Sequence, residues 1–564
     1  MPDEFIHEPR IAYFSMEIAL HNDIPTYSGG LGVLAGDTMR SAADLELPMV
    51  AVTLVSREGY FRQRIDEEGQ QFEDPDPWEP AQWARALQAK IALDIEDRTV
   101  WVGGWLYILE GHMNGRQPVI LLDTDLGENH PDDRAITAQL YGGDQRYRLK
   151  QEMVLGIGGT RLLQALGFSI RQYHMNEGHS ALLALELLRR YAWPQEDLRP
   201  GESPYDIPRV RELCCFTTHT PVEAGHDRFP YELVKQVAGE PVEFATLKQL
   251  AGNDTLNMTR LALNLSEYVN GVAQRHAEVS RSMFPGYQVH AVTNGVHPFT
   301  WTSETFRHLY DAEVPGWCHE AAMLIRAECC IADEELWAAH QENKQQLIAR
   351  VRELTGTQLD PGQPIIGFAR RMTAYKRPDL LFSDLERLRR IAARHPFQIV
   401  MAGKAHPRDE GGKRLIRQLY QHRRELEADI PMVFLPGYDL EMAQCLVAGV
   451  DLWLNTPLRP LEASGTSGMK ATFNGVPNLS VLDGWWIEGC IEDITGWAVG
   501  DSSEADNDSD AASLYDKLEQ KVLPLYYQDR AGWIAVMKGA IAKNASYFNS
   551  HRMMRRYATE AYIR

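Results

Sequence analysis

One lysine, Lys470, closes a run of small and flexible residues that could present its amine to a ligand. The run reads Glu462-Ala463-Ser464-Gly465-Thr466-Ser467-Gly468-Met469-Lys470 and continues as Ala471-Thr472-Phe473-Asn474-Gly475-Val476-Pro477. Glycine lets a backbone approach a ligand closely, and a lysine amine can act as a nucleophile. A Gly/Ser turn before a helix, with the lysine facing water, is the plainer interpretation of Gly-Thr-Ser-Gly plus one lysine taken alone.

A second segment, Phe368–Pro378, gathers positive charge. It contains four cations in one predicted strand-to-helix loop: Arg370, Arg371, Lys376 and Arg377. Arginine presents a planar fork to phosphate, and lysine acts as a compact point charge. The whole chain has a net charge of −21, so this local cluster favours an anion pocket. A solvated loop is the alternative.

A glycine-rich loop, Tyr27-Ser28-Gly29-Gly30-Leu31-Gly32-Val33, precedes a predicted helix over Leu34–Asp44. Free N–H groups at the start of a helix attract anions, although a tight turn alone would explain the glycines equally well. Three further polar segments follow predicted strands: Asn176-Glu177-Gly178-His179, Thr218-His219-Thr220-Pro221 and Thr293-Asn294-Gly295-Val296. Singly, each is typical of a helix cap or a satisfied buried group.

Composition limits the classes of protein that fit. The chain has 564 residues, 44% of them apolar and 24% charged, which predicts a globular protein with more than one domain. No uninterrupted apolar stretch of membrane-spanning length occurs, and the acidic balance argues against a nucleic-acid surface. The seven cysteines lack a CxxC or metal-ligand spacing, so we expect buried thiols in a reducing cytoplasm and no metal site.

Strand-like and helix-like stretches alternate along the chain. The predicted strands are Met49–Val55, Pro118–Asp123, Arg171–Met175, Leu213–Thr218, Val289–Thr293, Ile365–Ala369, Gln398–Ala402, Met432–Leu435 and Asp451–Asn455. Several are continuous apolar runs, as expected for parallel strands covered on both faces. The alternation predicts an α/β fold of the GT-B type, with two Rossmann-like doubly wound domains facing an interdomain cleft.

We place an N-terminal Rossmann-like domain at residues 1–345. A C-terminal Rossmann-like domain follows at residues 346–564. The last helical stretch, Tyr547–Arg564, is expected to pack back on the first domain. The acidic, serine-rich stretch Asp501–Ser513 is expected to be an exposed loop.

Taken together, these segments resemble the α-glucan phosphorylases, the family of the glycogen, starch and maltodextrin enzymes. Recognisable motifs extend from Tyr13-Phe14-Ser15-Met16-Glu17 to Trp485 and include Tyr141-Gly142-Gly143-Asp144-Gln145, which is similar to the gate beside the family's active site. The resemblance implies a retaining, reversible phosphorolysis of α-1,4-glucans at their non-reducing ends. The product would be α-D-glucose 1-phosphate, and the chain would be a glycosyltransferase of glycogen and carbohydrate metabolism.

The resemblance also implies a cofactor and residue roles. Pyridoxal 5′-phosphate would be bound covalently to Lys470. Its phosphate would be contacted by Arg370, with Gly30, Thr466 and Ser467 completing the cofactor site. Arg371 and Lys376 would hold the substrate phosphate, and with Lys470 and His219 they would be the catalytic residues. The N-terminal domain would bind glucan, and the C-terminal domain would hold the cofactor and phosphate. The residues matching the family's sugar site are His219, Asn294, Glu462, Glu177, His179, Tyr375, Asp144 and Leu31.

This sequence departs from the animal and plant branches at a few motif positions. Ser467 and Gly468 replace a Gly-Asn pair, Arg370 stands where a lysine is common, and Thr373 replaces a histidine. The chain also begins almost at the first core strand, so control through an N-terminal extension is not expected. A homodimer is expected only from the family's usual state, and the preferred glucan length is not determined by the sequence.

Three other classes of protein remain open. A GT-B glycosyltransferase using a nucleotide sugar would share the glycine-rich loop and the Arg/Lys loop. A glucan-binding relative without catalysis would keep the sugar site. A pyridoxal phosphate enzyme acting on amino acids would share only Lys470.

Overall fold

The computed structural model describes residues 8–199, 201–501 and 506–563. Its strands, numbered in chain order, are β1 Ile11–Ser15, β2 Met49–Leu54, β3 Arg62–Ile65, β4 Gln71–Asp74, β5 Arg85–Ala86, β6 Ile91–Ile95, β7 Arg98–Glu110, β8 Arg116–Asp123, β9 Gln172–Asn176, β10 Cys214–Thr217, β11 Arg228–Pro230, β12 Thr255–Asn257, β13 Tyr268–Gly271, β14 His290–Ala291, β15 Ile365–Ala369, β16 Gln398–Ala402, β17 Met432–Leu435, β18 Leu452–Asn455, β19 Asn478–Val481 and β20 Gly496–Val499.

The α-helices are Gly30–Asp44, Pro131–Arg134, Gln145–Met153, Gly159–Ala165, Leu182–Arg190, Ile207–Leu213, Tyr231–Ala238, Phe244–Ala251, Met258–Asn264, Gln274–Met283, Pro298–Trp301, Glu304–Glu313, Ala327–Cys330, Asp333–Thr355, Leu385–Arg394, Glu410–Leu426, Leu440–Gly449, Ser467–Thr472, Trp486–Gly489, Asn507–Lys517, Leu523–Gln528, Arg530–Gly539 and Ser550–Tyr557. A π-helical turn at Val154–Gly158 joins two of them into one continuous helix. Among the described residues, none of these helices combines the length and apolarity needed to cross a membrane.

The sheet built from β15 to β20 is parallel throughout. Its order is β17-β16-β15-β18-β19-β20, so the chain moves outward from β15 on one side, returns, and continues from β18 on the other. This is the Rossmann order 3-2-1-4-5-6, in which ligands bind at the carboxyl ends of strands where the direction reverses. Strand β15 is buried along its whole length, as its continuous apolar sequence predicts.

The first sheet has ten strands in the order β14-β13-β10-β9-β1-β2-β8-β7-β5, with β6 also paired to β7. From β14 to β8 the pairs are parallel. The chain adds strands on one side of β1 up to β8 and then on the other side from β9 onward, so the order of the strands reverses between β1 and β9. The strands β7, β6 and β5 add an antiparallel edge that the sequence analysis did not predict. The predicted α/β fold with two Rossmann-like sheets is confirmed.

Aspartates at the ends of loops start several of the helices that cover the second sheet. Asp384, Asp409 and Asp439 each accept a backbone N–H from the first turn that follows, at 2.9 Å. Such caps satisfy donors that a helix cannot pair internally and stabilise it by about 1 kcal/mol each. They fix where the strand-to-helix loops end, and those loops form the edge of the cleft.

The last helix, Ser550–Tyr557, packs against the first helix, Gly30–Asp44. Ser550 Oγ lies 2.6 Å from Ser41 Oγ, and His551 Nε2 lies 3.2 Å from Asp44 Oδ2. His297 Nε2 reaches the same carboxylate oxygen at 2.8 Å. The carboxylate of Asp44 therefore connects the first helix to the last helix and to the loop that carries His297.

Two segment boundaries predicted from the sequence can be compared with the structure: the loop at Asp501–Ser513 and the division between the two domains. The stretch predicted as an exposed loop at Asp501–Ser513 contains the helix Asn507–Lys517, begun by the Asp506 cap, and residues 502–505 lie outside the described residues. The predicted division between residues 345 and 346 falls inside the helix Asp333–Thr355, whose Lys344 Nζ lies 2.8 Å from Asp451 Oδ2 beside β18. The position of the division stays a prediction.

Candidate active site

A cavity of about 1110 Å³ lies between the two sheets, at the carboxyl ends of their central strands. Its wall includes fourteen of the residues proposed from the sequence: Gly30, Leu31, Glu177, His179, His219, Asn294, Arg370, Arg371, Tyr375, Lys376, Glu462, Thr466, Ser467 and Lys470. Asp144 is not among the lining residues. It is exposed and caps the helix Gln145–Met153 by accepting the Tyr147 N–H at 3.0 Å.

Lys470 is buried in the cavity wall, on the short helix Ser467–Thr472. Its Nζ lies 3.9 Å from the centre of the Trp301 ring, and it forms no hydrogen bond or ion pair with any described residue. Burial lowers the pKa of this amine to about 8, although Asp37 attracts the charged form. Roughly a tenth of the amine is then neutral at pH 7, against less than one part in a thousand for an ordinary lysine. Lys470 is therefore a ready nucleophile.

The cations that follow β15 take different partners. Arg370 and Lys376 both pair with Oε2 of Glu462, the first at 2.7 Å. Burial alone would raise the pKa of Glu462, but attraction to these two cations outweighs it, and the pKa is lowered. The Glu462 carboxylate is therefore held ionised between two cations in the cavity wall.

Arg371 and Arg377 belong to the same loop, but their side chains have different surroundings and partners. Arg371 is accessible inside the cavity and has no ion pair among the described residues, so its fork is available to a ligand. Arg377 is buried away from the cavity, where its side chain binds the carbonyls of Thr456 and Pro457 and the carboxylate of Asp510. Arg377 fixes the loop, and Arg371 carries charge into the site.

The glycine-rich loop is occupied by a carboxylate that the sequence analysis did not assign. Glu17, just after β1, accepts the backbone N–H groups of Ser28 at 2.5 Å and Gly29 at 3.2 Å, and Tyr141 donates its hydroxyl to Glu17 at 3.0 Å. A side chain at Gly32 would come within 2.7 Å of Glu17 Oε2, so glycine is required there. The signal in the sequence that could have identified Glu17 is an acidic residue two positions after the buried strand β1.

The opposite wall carries the polar groups that follow β9, β10 and β14. His219 Nε2 lies 2.6 Å from Asn176 Oδ1, and the His219 N–H donates to Glu177 at 2.8 Å. Burial lowers the pKa of His219 to about 4, so the ring is neutral at pH 7. His179 Nδ1 and Asn294 Oδ1 are buried without a partner among the described residues. Such atoms require a water or a ligand hydroxyl as partner.

The segment that would receive a cofactor beside Lys470 is shaped by glycines. Gly465 has φ +82°, a left-handed conformation that favours glycine, and a side chain at Gly468 would clash with Asn478 Oδ1 at 2.3 Å. Ser467 Oγ accepts the Trp453 indole N–H at 3.2 Å, and Ser467 lines the cavity. Gly30 lines the same cavity, and a side chain there would meet nothing within 4 Å, so there is open space at Gly30.

Two Rossmann-type sheets that share one ligand cavity at their switch points define a GT-B protein. A sequence profile of the family described as carbohydrate phosphorylase matches residues 227–496. A maltodextrin phosphorylase of Thermococcus litoralis is 41% identical over 98% of this chain and 70% of its own length. A glycogen phosphorylase of Aquifex aeolicus is 36% identical over 99% and 87%. An uncharacterized protein of Methanocaldococcus jannaschii is 30% identical over 98% and 99%.

The chain belongs to the carbohydrate phosphorylase family. Both the family and the enzyme class predicted from its motifs, a phosphorylase among the glycosyltransferases, are thereby confirmed.

Proposed function

We propose that this chain catalyses the reversible phosphorolysis of α-1,4-glucans at their non-reducing ends and releases α-D-glucose 1-phosphate with retention. The names of the similar proteins support an α-glucan substrate of the maltodextrin or glycogen type. The observation that carries the proposal is that the buried amine of Lys470 and the guanidinium of Arg371 lie in one cavity, neither of them with an ion pair among the described residues. A nucleophilic amine and an open anion site together suit a covalent cofactor and a phosphate substrate.

Pyridoxal 5′-phosphate fits the donor set around Lys470, and we propose that this lysine holds it covalently. Arg370, Gly30, Thr466 and Ser467 would hold the cofactor, with Arg370 at its phosphate. When bound, the cofactor would supply a phosphate group able to exchange a proton with the substrate phosphate. The lowered pKa of Lys470 and the open space at Gly30 support this assignment.

The chain's own residues would bind and orient the two substrates. Arg371 and Lys376 would hold orthophosphate, and the charges they bring would offset the charge of the phosphate in a water-poor cleft. Within the group Arg370, Arg371, Lys376 and Glu462, three cations face one carboxylate, so the group retains positive charge for an anion.

The sugar site would be formed by both walls of the cavity, with Glu462 and Tyr375 on the wall that carries Arg371. His219, Asn294 and Glu462 would contact the glucosyl unit beside phosphate, and Glu177 and His179 would contact the acceptor sugars. Tyr375 and Leu31 would shape the site. The unpartnered atoms His179 Nδ1 and Asn294 Oδ1 are suited to sugar hydroxyls. Asp144 would act only from outside the cavity, at the gate segment.

The decisive experiment incubates the protein with maltoheptaose, glycogen or maltose, each with and without orthophosphate, and measures glucose 1-phosphate. We expect product only with phosphate, in the wild type and in the surface variant K517A, and none in K470A. Full phosphorolysis by K470A without added cofactor would contradict the proposal. Transfer that requires a nucleotide sugar would identify the chain as a different GT-B enzyme, and glucan binding without product would identify a non-catalytic relative.

Two further proposals concern the setting of the enzyme. The cysteines of the described chain are free thiols, which supports a reducing cytoplasm as its compartment. A homodimer is proposed from the family resemblance, and light scattering during gel filtration would distinguish a dimer from a monomer.

A further inference from the structure

Asp483 is a buried carboxylate beside the cavity to which the reaction described above gives no role. It follows β19 and is only 3% exposed. Its Oδ2 accepts the backbone N–H of Glu462 at 2.9 Å, and its Oδ1 accepts the N–H of Gly484 at 2.9 Å. One carboxylate therefore serves two backbone donors, one on its own segment and one on the segment that carries Glu462.

The segment after β19 forms a second hydrogen bond with the segment that carries Glu462. Trp485 donates its backbone N–H to the Ser464 carbonyl at 2.9 Å. Gly484 has φ +56°, and a side chain there would come within 2.4 Å of the Ser464 carbonyl oxygen and 3.1 Å of Glu462 Cγ. Close contact between the two segments therefore requires glycine at 484 and leaves Asp483 as the side chain that aligns them.

The side chain of Glu462 is confined from both sides by this arrangement. A side chain at Gly465 would approach Glu462 Cγ and Cδ at 3.2 Å, so one glycine lies on each side of the glutamate. Its backbone is fixed by Asp483, and its carboxylate ends on Arg370 and Lys376. A shift of the Glu462 backbone would move that carboxylate away from the two cations.

We propose that Asp483 is a positioning residue of the active site: by accepting the Glu462 N–H it directs the Glu462 carboxylate onto Arg370 and Lys376 and so sets the geometry of the sugar and phosphate site. This inference rests on the proposed phosphorolysis for its effect on rate. Its structural part, the alignment of the Glu462 segment, does not.

The ionisation of Asp483 gives its positioning role a pH dependence that a purely structural role would lack. Burial raises the pKa of Asp483 to about 6, the two backbone N–H groups lower it, Glu462 raises it further and Lys376 lowers it. Glu462 and Lys376 are the charged groups that act on it. Above pH 6 the carboxylate accepts both N–H groups, whereas below pH 6 its protonated oxygen no longer accepts. The amide of D483N likewise offers one acceptor oxygen to two donors.

The test compares wild type, D483N and the control D493N. Asp493 accepts the Trp497 indole N–H at 2.9 Å and bonds Lys521, away from the cavity. We expect kcat/KM of D483N to be at least tenfold below wild type at pH 7.5. The wild-type to D483N ratio of kcat/KM should fall towards one by pH 5 with a midpoint near 6, because protonation makes Asp483 resemble asparagine. Ionisation of the phosphate substrate affects both proteins equally and cancels in the ratio. The melting temperature of D483N should not fall, since the amide avoids the burial of a charge, and D493N should keep the wild-type rate.

A ratio that does not change with pH, a D483N rate equal to wild type, or a loss of rate accompanied by an equal loss of rate in D493N would overturn the inference. Amide hydrogen exchange provides a reading that does not depend on turnover. Faster exchange at the Glu462 N–H in D483N than in wild type supports the inference, and unchanged exchange overturns it. An inactive wild type with faster exchange in D483N would refute the proposed function and leave the alignment by Asp483 established.

Discussion

Replacing Arg371 with alanine should remove catalysis while leaving the fold intact. Arg371 has no ion pair among the described residues, so its removal leaves no described charge unpaired. Loss of one group that stabilises developing charge in an enclosed site costs about 2.7–4 kcal/mol, which corresponds to roughly a 100- to 1000-fold loss of kcat/KM. We expect this loss for R371A in phosphorolysis of maltoheptaose at varied orthophosphate, with a melting temperature equal to that of wild type.

Arg377 provides a matched control in the same loop. Its guanidinium lies 2.6 Å from Asp510 and donates to the Thr456 and Pro457 carbonyls at 2.9 and 2.8 Å. Breaking a buried pair costs about 3 kcal/mol or more, although Arg459 still lies 2.7 Å from Asp510. R377A should therefore melt several degrees below wild type. If R371A keeps more than a third of the wild-type kcat/KM, or loses as much thermal stability as R377A, the assignment of Arg371 to phosphate is wrong.

Three further predictions follow from buried ionisable groups. H551A should lower the free energy of unfolding by roughly 2 kcal/mol, because Asp44 loses one of its two histidine partners; an unchanged melting curve would contradict this. Burial alone would raise the pKa of Asp451, but Lys344 and His340 together lower it to about 2. The ionised form of Asp451 therefore contributes about 2 kcal/mol to the free energy of unfolding, and this contribution is present above pH 4 and is lost as the pH falls towards 2. D451N should therefore melt below wild type at pH 7, with a difference that narrows as pH falls towards 3. Covalent loading of apo-protein at Lys470 should accelerate about tenfold per pH unit up to pH 8 and then level off; a rate that keeps rising to pH 10 would mean that the amine is not buried.

The parallel core and the cavity could be predicted because their sequence signals are local. Strands such as Ile365–Ala369 are continuous apolar runs, and polar residues placed directly after them must meet at one edge of a parallel sheet. Lys470 and Arg371 were assigned to one site by the resemblance to the phosphorylases, although ninety-nine positions separate them in the printed sequence.

Other features depend on tertiary contacts that no local pattern encodes. The antiparallel edge strand Arg98–Glu110 mixes buried, half-buried and exposed residues and was missed where continuous apolar runs were sought. The first part of the helix Asn507–Lys517 was predicted as a loop because the stretch Asp501–Ser513 is acidic and serine-rich. Its Asp510 is held by Arg377 and Arg459, which lie far away in the chain.

The electrostatic arrangement of the site is likewise a product of folding. Glu462 was expected to contact sugar, but its pairing with Arg370 and Lys376 depends on how β15 and the segment after β18 meet. Glu17 belongs to a recognised motif, yet its bonds to the glycine-rich loop appear only when β1 and the first helix are packed. The sequence identified fourteen of the residues that line the cavity but not Glu17, and the fold decides which of them are already paired.

The central claim is that the buried amine of Lys470 carries an aldehyde cofactor in the cavity between the two sheets. The most direct measurement loads the protein with pyridoxal 5′-phosphate, reduces it with borohydride and determines by peptide mass spectrometry which lysine has gained mass. The claim predicts one stoichiometric modification, on the peptide containing Lys470, and none in K470A. Unmodified Lys470 in a protein that still phosphorolyses maltoheptaose, or modification spread over surface lysines, would contradict it.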